Sequence, residues 1–327
     1  MRSSYFTLFL AQILMMWQTG GFAQTPPQPT VTTSAPAALA LLDATIKSLT
    51  RPEGVEVQFH QTVFGNSDPA TLTGTSITAA GKKVYFDLKY QQVKRQAQLK
   101  LLCDGETFHR LESISDNNTI ISYPVQELQD VMKKLATSET ERVAMEDVEK
   151  TQLGLHGFEG ISAMISDLKR RMIFGEPTSA TIDLPGKPRQ AVKVIEGRWN
   201  SDALEQIAPT KKTNAQNQQD QRYLWNEKLS FFLVPRLAKL YFIAATGELV
   251  RLELWGITEK QGPEKVLLNM DILSTVPLTT LDAKLFRPTE EELKYQPMKY
   301  NLEEAIKNQH LNMMNMLKQQ QQQSPKK

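Results

Sequence analysis

The chain has 327 residues, with 38 Lys and Arg against 36 Asp and Glu, for a net charge of +2. Charges this well mixed, with no basic stripe interleaved with aromatics, argue against a nucleic-acid partner and against attraction to an anionic surface. Its length allows a sizeable core in one large domain or two small ones. The lone cysteine, Cys103, cannot close an internal disulfide, so the fold must rest on that core.

Residues 1–23 read as an export signal: Arg2 is followed by a largely apolar run over 5–17, then the small residues Gly21 and Ala23. Cleavage is expected after Ala23. The alternative, an N-terminal membrane anchor, asks for roughly 20 apolar residues, more than this run offers. No cysteine follows the run, so a lipoprotein signal is not indicated, and no later segment is apolar enough to span a bilayer. The mature chain is therefore expected to be periplasmic or secreted, with no transmembrane segment. Residues 24–36, rich in Pro, Gln and Thr, read as a flexible spacer.

A first amphipathic helix is predicted from Leu39, Leu42, Ile46 and Leu49, ending near Pro52 and Gly54. Strands follow. Val55, Val57 and Phe59 alternate with polar residues, as do Val84, Phe86, Leu88 and Tyr90, then Ala97, Leu99, Leu101 and Cys103. Turns are expected at 65–69, at Gly81-Lys82, at Asp104-Gly105 and at Asn117-Asn118. Such neighbouring hairpins make an antiparallel meander. Cys103 falls on the inward set, where it reads as a small buried hydrophobe.

The middle is predicted helical, with Val125, Leu128, Met132 and Leu135 on one face, and Ile161, Ile165, Leu168 and Met172 on another, stopped by Gly175 and Pro177. Strands resume at 180–184 and 190–199, where Val192 and Val194 share a face. Residues 201–221, with NAQNQQDQ, read as a polar inserted loop.

The stretch 235–256 is the plainest hairpin: an apolar strand, a turn at 245–248 with Gly247 at positive φ, and a return. On the return Val250, Leu252 and Leu254 are expected on one face, with Arg251 and Glu253 on the other. Val266, Leu268, Met270 and Ile272 alternate next, and residues 277–286 read as a loop with a final short strand. The tail 289–327 carries a weakly amphipathic helix through Leu302, Ile306, Met313 and Leu317, then a Gln-rich end read as disordered. The sum is about ten strands around two or three helices, an α+β chain with one antiparallel sheet.

These phrases resemble the LolA-like superfamily of bacterial periplasmic proteins. The first helix running into VEVQFHQTV, the strand KKVYFDLKY, and the hairpins LLCDGETFHRL and LYFIAATGELVRLELWG carry the resemblance. So does the closing TLDAKLFRPT. It covers residues 39–288 and implies an unclosed antiparallel β-half-barrel with helices packed in its concave face. On that basis the domain is placed at 37–288. The residue expected to be acidic before the hairpin turn is Ile243 or Ala244 here, and no arginine could be matched to the carriers' latch position.

No enzymatic constellation emerges: there is no G-x-S-x-G, no H-E-x-x-H and no paired cysteine. His60, His109, His156 and His310 are scattered; His156 with Glu159 reads as a surface or capping pair, and His60 and His109 as solvent-facing. No cofactor or metal is implied. The candidate site is the apolar inner face, formed by Val57, Phe59, Phe86, Leu88, Leu99, Leu101, Leu252, Leu254, Leu268 and Met270. Met164 and Met172 on the helices would supply an adaptable wall. The expected function is non-enzymatic binding of a lipid or lipidated protein, as an envelope carrier or sensor. The alternatives are a protein-interaction module with a filled inner face and envelope protein partners, and a hydrolase whose groups converge only in space.

Overall fold

The computed structural model describes residues 33–64, 69–92, 95–115, 117–135, 160–200, 236–256, 264–298, 301 and 303–304. The predicted export signal, most of the spacer, the polar loop 201–221 and nearly all of the tail beyond 298 lie outside them. So do His156, Glu159 and His310, and the side chains of Met132 and Leu135.

Among the described residues there are three α-helices: α1 (Pro36–Leu49), α2 (Val125–Leu135) and α3 (Gly160–Arg171). The strands are β1 (Val55–Val63), β2 (Ala70–Ala79), β3 (Lys83–Gln92), β4 (Arg95–Asp104), β5 (Thr107–Ile114) and β6 (Asn117–Pro124). They continue as β7 (Met172–Phe174), β8 (Thr178–Ile182), β9 (Gln190–Trp199), β10 (Leu237–Ile243), β11 (Leu249–Gly256), β12 (Lys265–Pro277) and β13 (Gln296–Pro297). They form one sheet in the order β13-β6-β5-β4-β3-β2-β1-β12-β11-β10-β9-β7, with β8 also on β9. The two ends do not meet, so this is an unclosed half-barrel with helices packed against it. All pairings are antiparallel except β13 with β6.

The helices cover one face because their buried residues recur at helical spacing. These are Ala38, Leu42, Thr45 and Leu49 on α1, and Ile161, Ser162, Ile165 and Leu168 on α3. Pro36 starts α1, where its missing N–H leaves no helical bond unmade. The entry to α1 is stitched to β7: Ala35 N–H donates to Phe174 O at 2.8 Å, and Phe174 N–H to Ser34 Oγ at 3.0 Å. Asp43 and Lys169 form an ion pair between α1 and α3. On α2 the buried set is Val125, Leu128 and Val131. The hairpin turn is as predicted, with Gly247 at φ 72° and Ile243 N–H donating to Glu248 O at 2.8 Å.

Five expectations need correction, four of them in strand facing and element ends. Val250 does not share a face with Leu252 and Leu254: a bulge pairs Phe242 with Leu249, and Val250 joins an outer cluster with Ile182, Leu184, Val192 and Val194. A second bulge pairs Trp255 with Val266, putting Val266 out of step with Leu268. Met172 is not helical. The helix ends at Arg171 because the open edge of β9 pairs with the chain there, Met172 opposite Trp199 and Phe174 opposite Gly197. The turn expected at Asn117-Asn118 lies earlier, with Ser115 at φ 55°, since both asparagines already pair with β5.

The stretch TLDAKLFRPT forms no strand. Asp282 caps a 3-10 turn, Ala283–Phe286, its carboxylate accepting from Lys284 N–H. Phe286 is fully buried. From there the chain straps the outer face of the sheet. Arg287 Nε donates to Asp104 Oδ2 at 2.8 Å, Glu292 pairs with Lys100, and Tyr295 packs with Tyr85, Leu102, Leu111 and Ile120. The strap then adds β13 to the β6 edge, and Met298 N–H donates to Ile120 O at 2.9 Å.

Candidate functional site

Strand alternation and register fix the inner face row by row. One row runs Leu240, Leu252, Met270, Gln61, Leu72, Tyr90 and Ala97 across β10, β11, β12, β1, β2, β3 and β4. A second runs Phe59, Gly74, Leu88, Leu99 and Glu112, and a third runs Val57, Ser76, Phe86, Leu101, Arg110 and Ile121. All twelve predicted site residues belong to, or pack against, one cluster that also takes in α1, α2 and α3.

Within that cluster the wall is not uniform. Leu99, Leu101, Leu252, Leu254 and Leu268 are each at most 2% exposed, so helices and neighbouring side chains cover them fully. Val57, Phe59, Leu88, Met172 and Met270 are buried too. Phe86 and Met164 are partly exposed, as are Ile114 and Ile121, which the alternation of β5 and β6 places beside them. Phe86 leans on Phe59 with ring centroids 6.0 Å apart. The reachable part of the inner wall therefore lies on β3 to β6.

A charged pair sits at this end. Arg110 and Glu112 share the inner face of β5 with Phe108 and Ile114, and their side chains form an ion pair, 18% and 10% exposed. Arg110 Nε is buried and has no hydrogen-bond partner among the described residues. Sequence reading missed the pair. The period-two parity of TFHRLESI, with Phe108 and Ile114 inward, carries the signal. Cys103, also inward, is buried; burial pushes its thiol up to about 11, and it is not ionised at neutral pH.

On the outer face, polar side chains of β10 to β12 bond to one another. Arg251 Nε donates to Asp271 Oδ1 at 2.5 Å, and Glu253 accepts from Tyr241 Oη at 2.8 Å and Trp255 Nε1 at 2.9 Å. Burial and the bond to Glu253 push the Tyr241 hydroxyl well above its usual range. His60 pairs in register with Asp271, while His109 Nδ1 lies 2.7 Å from Ser122 Oγ. Burial holds His109 below the usual imidazole range. The two histidines stand on β1 and β5 and do not meet. Among the described residues no group of three or more His, Cys, Asp or Glu is placed to hold a metal ion. No described helix is long and apolar enough to cross a membrane.

No family model matches the chain, and no curated protein matches it. Among solved structures it is similar to LprF from Mycobacterium bovis, at 13% identity and TM-score 0.36, over 77% of this chain and 99% of that one. It is similar to MucB at 8% identity and TM-score 0.32, over 79% of this chain and 65% of that one. A LolA superfamily protein, NE2245 from Nitrosomonas europaea, is similar at 7% identity and TM-score 0.28, over 78% of this chain and 99% of that one.

Proposed function

We propose that this chain is an exported, non-enzymatic protein that binds a lipid, or the lipid moiety of a lipidated protein, against the inner face of its half-barrel. In this role it carries or senses its cargo in the cell envelope. The observation that supports this reading is an apolar inner wall whose β3–β6 end leaves Phe86, Ile114 and Ile121 partly exposed yet continuous with the core. Burying one methylene stabilises by about 0.8 kcal/mol, so a long acyl chain gains on the order of 10 kcal/mol before ordering costs. No catalytic group is needed for that affinity.

The sealed leucines set a condition. Leu99, Leu101, Leu252, Leu254 and Leu268 touch no open space, so a chain lodged along the whole wall must displace the helices. Met164 on α3 packs against that wall, and methionine repacks at low cost. The same sealing favours a second reading, an interaction module whose inner face is simply core and whose loops meet protein partners.

Native mass spectrometry of the mature protein, purified from an envelope fraction without detergent, separates the two. A stoichiometric adduct that releases a lipid on organic extraction supports cargo binding. A clean apo mass, with no uptake from phosphatidylethanolamine and phosphatidylglycerol vesicles, leaves the interaction module. Phe86→Ser should weaken uptake while preserving the fold. Leu254→Asp is unsuitable as a probe, because an unpaired charge there would unfold the core.

A further inference from the structure

We propose that Arg110 and Glu112 form a polar subsite within the apolar inner wall, which receives the carbonyl oxygen of an acyl chain, ester or amide, through Arg110 Nε–H. This rests on the lipid-binding reading above and specifies what the bound molecule must carry at the junction of chain and headgroup.

Three observations converge. The pair interrupts an apolar wall: Leu101 and Ile121 flank Arg110 in register, and Leu99 and Thr119 flank Glu112. A mostly buried ion pair contributes little to stability, since desolvation offsets its Coulombic gain, so stability alone does not account for it. Its position coincides with the reachable end of the wall, between Phe86, Ile114 and Ile121. Finally, Arg110 Nε is a buried donor with no acceptor among the described residues, and leaving it unbonded costs free energy that an arriving acceptor would recover.

The charge balance selects the ligand. Glu112 already neutralises the guanidinium, so a carboxylate or phosphate placed beside both would meet the acid as well as the base. A neutral acceptor meets no such repulsion. An acyl carbonyl is neutral and is joined directly to the hydrocarbon that the neighbouring Phe86 and Ile121 would cover. A free fatty acid, charged at that position, is disfavoured.

The test uses the mature protein and three probes: vesicles of dipalmitoyl phosphatidylcholine, the dihexadecyl ether analogue lacking both carbonyls, and an N-palmitoyl peptide. The wild type should prefer an acyl probe over the ether by about tenfold, the worth of one buried hydrogen bond. Whether that probe is the diester or the N-acyl peptide separates a membrane lipid from a lipidated protein as source. The double variant Arg110→Leu/Glu112→Leu, which leaves no unpaired charge, should bind ether as before and lose the preference. Arg110→Lys, which keeps a cation for Glu112 but removes Nε–H, should also approach parity. Equal binding of acyl and ether probes by the wild type overturns the proposal while lipid binding stands. A preference surviving in both variants overturns it too. Uptake of none of the three sinks the lipid-binding reading itself.

Discussion

The far end of the Phe59 ring on β1 lies over Gly74, its register partner on β2. A Cβ added at Gly74 would fall 2.7 Å from Phe59 Cε1 and closer still to Cζ. The glycine is thus the floor on which the largest inner side chain of β1 rests. Phe174 and Gly197 repeat the relation at the far edge, between β7 and β9. Gly74→Ala should destabilise by about 2 kcal/mol through overpacking, read as a lower urea midpoint. Phe59→Leu in the same chain should return part of that loss. A neutral Gly74→Ala would mean that the ring does not lie there.

The strap over the outer face should loosen in acid before the sheet does. Burial raises the Asp104 carboxyl, but the N–H groups of Thr107 and Glu106 and the Arg287 guanidinium outweigh it, and the net shift is downward. Glu292 is likewise raised by burial and brought lower on balance by Lys100 and Thr289. A carboxyl whose folded pKa is depressed contributes stability above its unfolded value, roughly 4. That contribution disappears as pH falls through the folded value. Hydrogen exchange across residues 282–298 should therefore accelerate below about pH 4 while β1 and β12 stay protected. Asp104→Asn with Glu292→Gln should flatten that dependence; simultaneous loss of protection in strap and sheet would refute it.

Asp271 anchors the outer face. It is 3% exposed and accepts from Arg251 Nε and from Asn269 Nδ2 at 3.2 Å. Asp271→Ala should cost about 3 kcal/mol in equilibrium unfolding, because the Arg251 guanidinium loses its closest carboxylate. Arg251→Met with Asp271→Leu should recover most of it, since a well-packed apolar pair replaces a desolvated ionic one. A double variant as weak as the single one would place the cost elsewhere.

Cys103 should behave as a reporter of unfolding. Its thiol is buried and raised to about 11, mainly by desolvation, so the reactive thiolate is scarce in the folded chain. At pH 8, iodoacetamide should label it only as fast as the protein opens, and several orders of magnitude faster in denaturant. Rapid labelling of the native protein would contradict the packing described for β4.

Much of this molecule is legible in local pattern. Period-two alternation assigned Val57, Phe59, Phe86, Leu88, Leu99 and Leu101 to one face, and Gly247 marked a reversal. These depend on side-chain parity and turn chemistry, which are properties of a few adjacent residues. Where pairing partners intervene, the pattern misled. Val250 changes face because β10 and β11 pair with one residue to spare, and Met172 leaves its helix because the edge of β9 offers backbone partners. The strap could not be foreseen from TLDAKLFRPT, since its anchors Asp104 and Lys100 lie some 180 to 190 residues earlier. So the sequence by itself determined which side chains share a face within each regularly paired stretch, but not across the bulges at Val250 and Val266. Tertiary structure decided which stretches of that face are sealed by helices, which remain reachable, and that Arg110 and Glu112 stand at the reachable end. The reason is physical: alternation acts between neighbours in the chain, whereas covering a wall depends on packing between segments far apart in it.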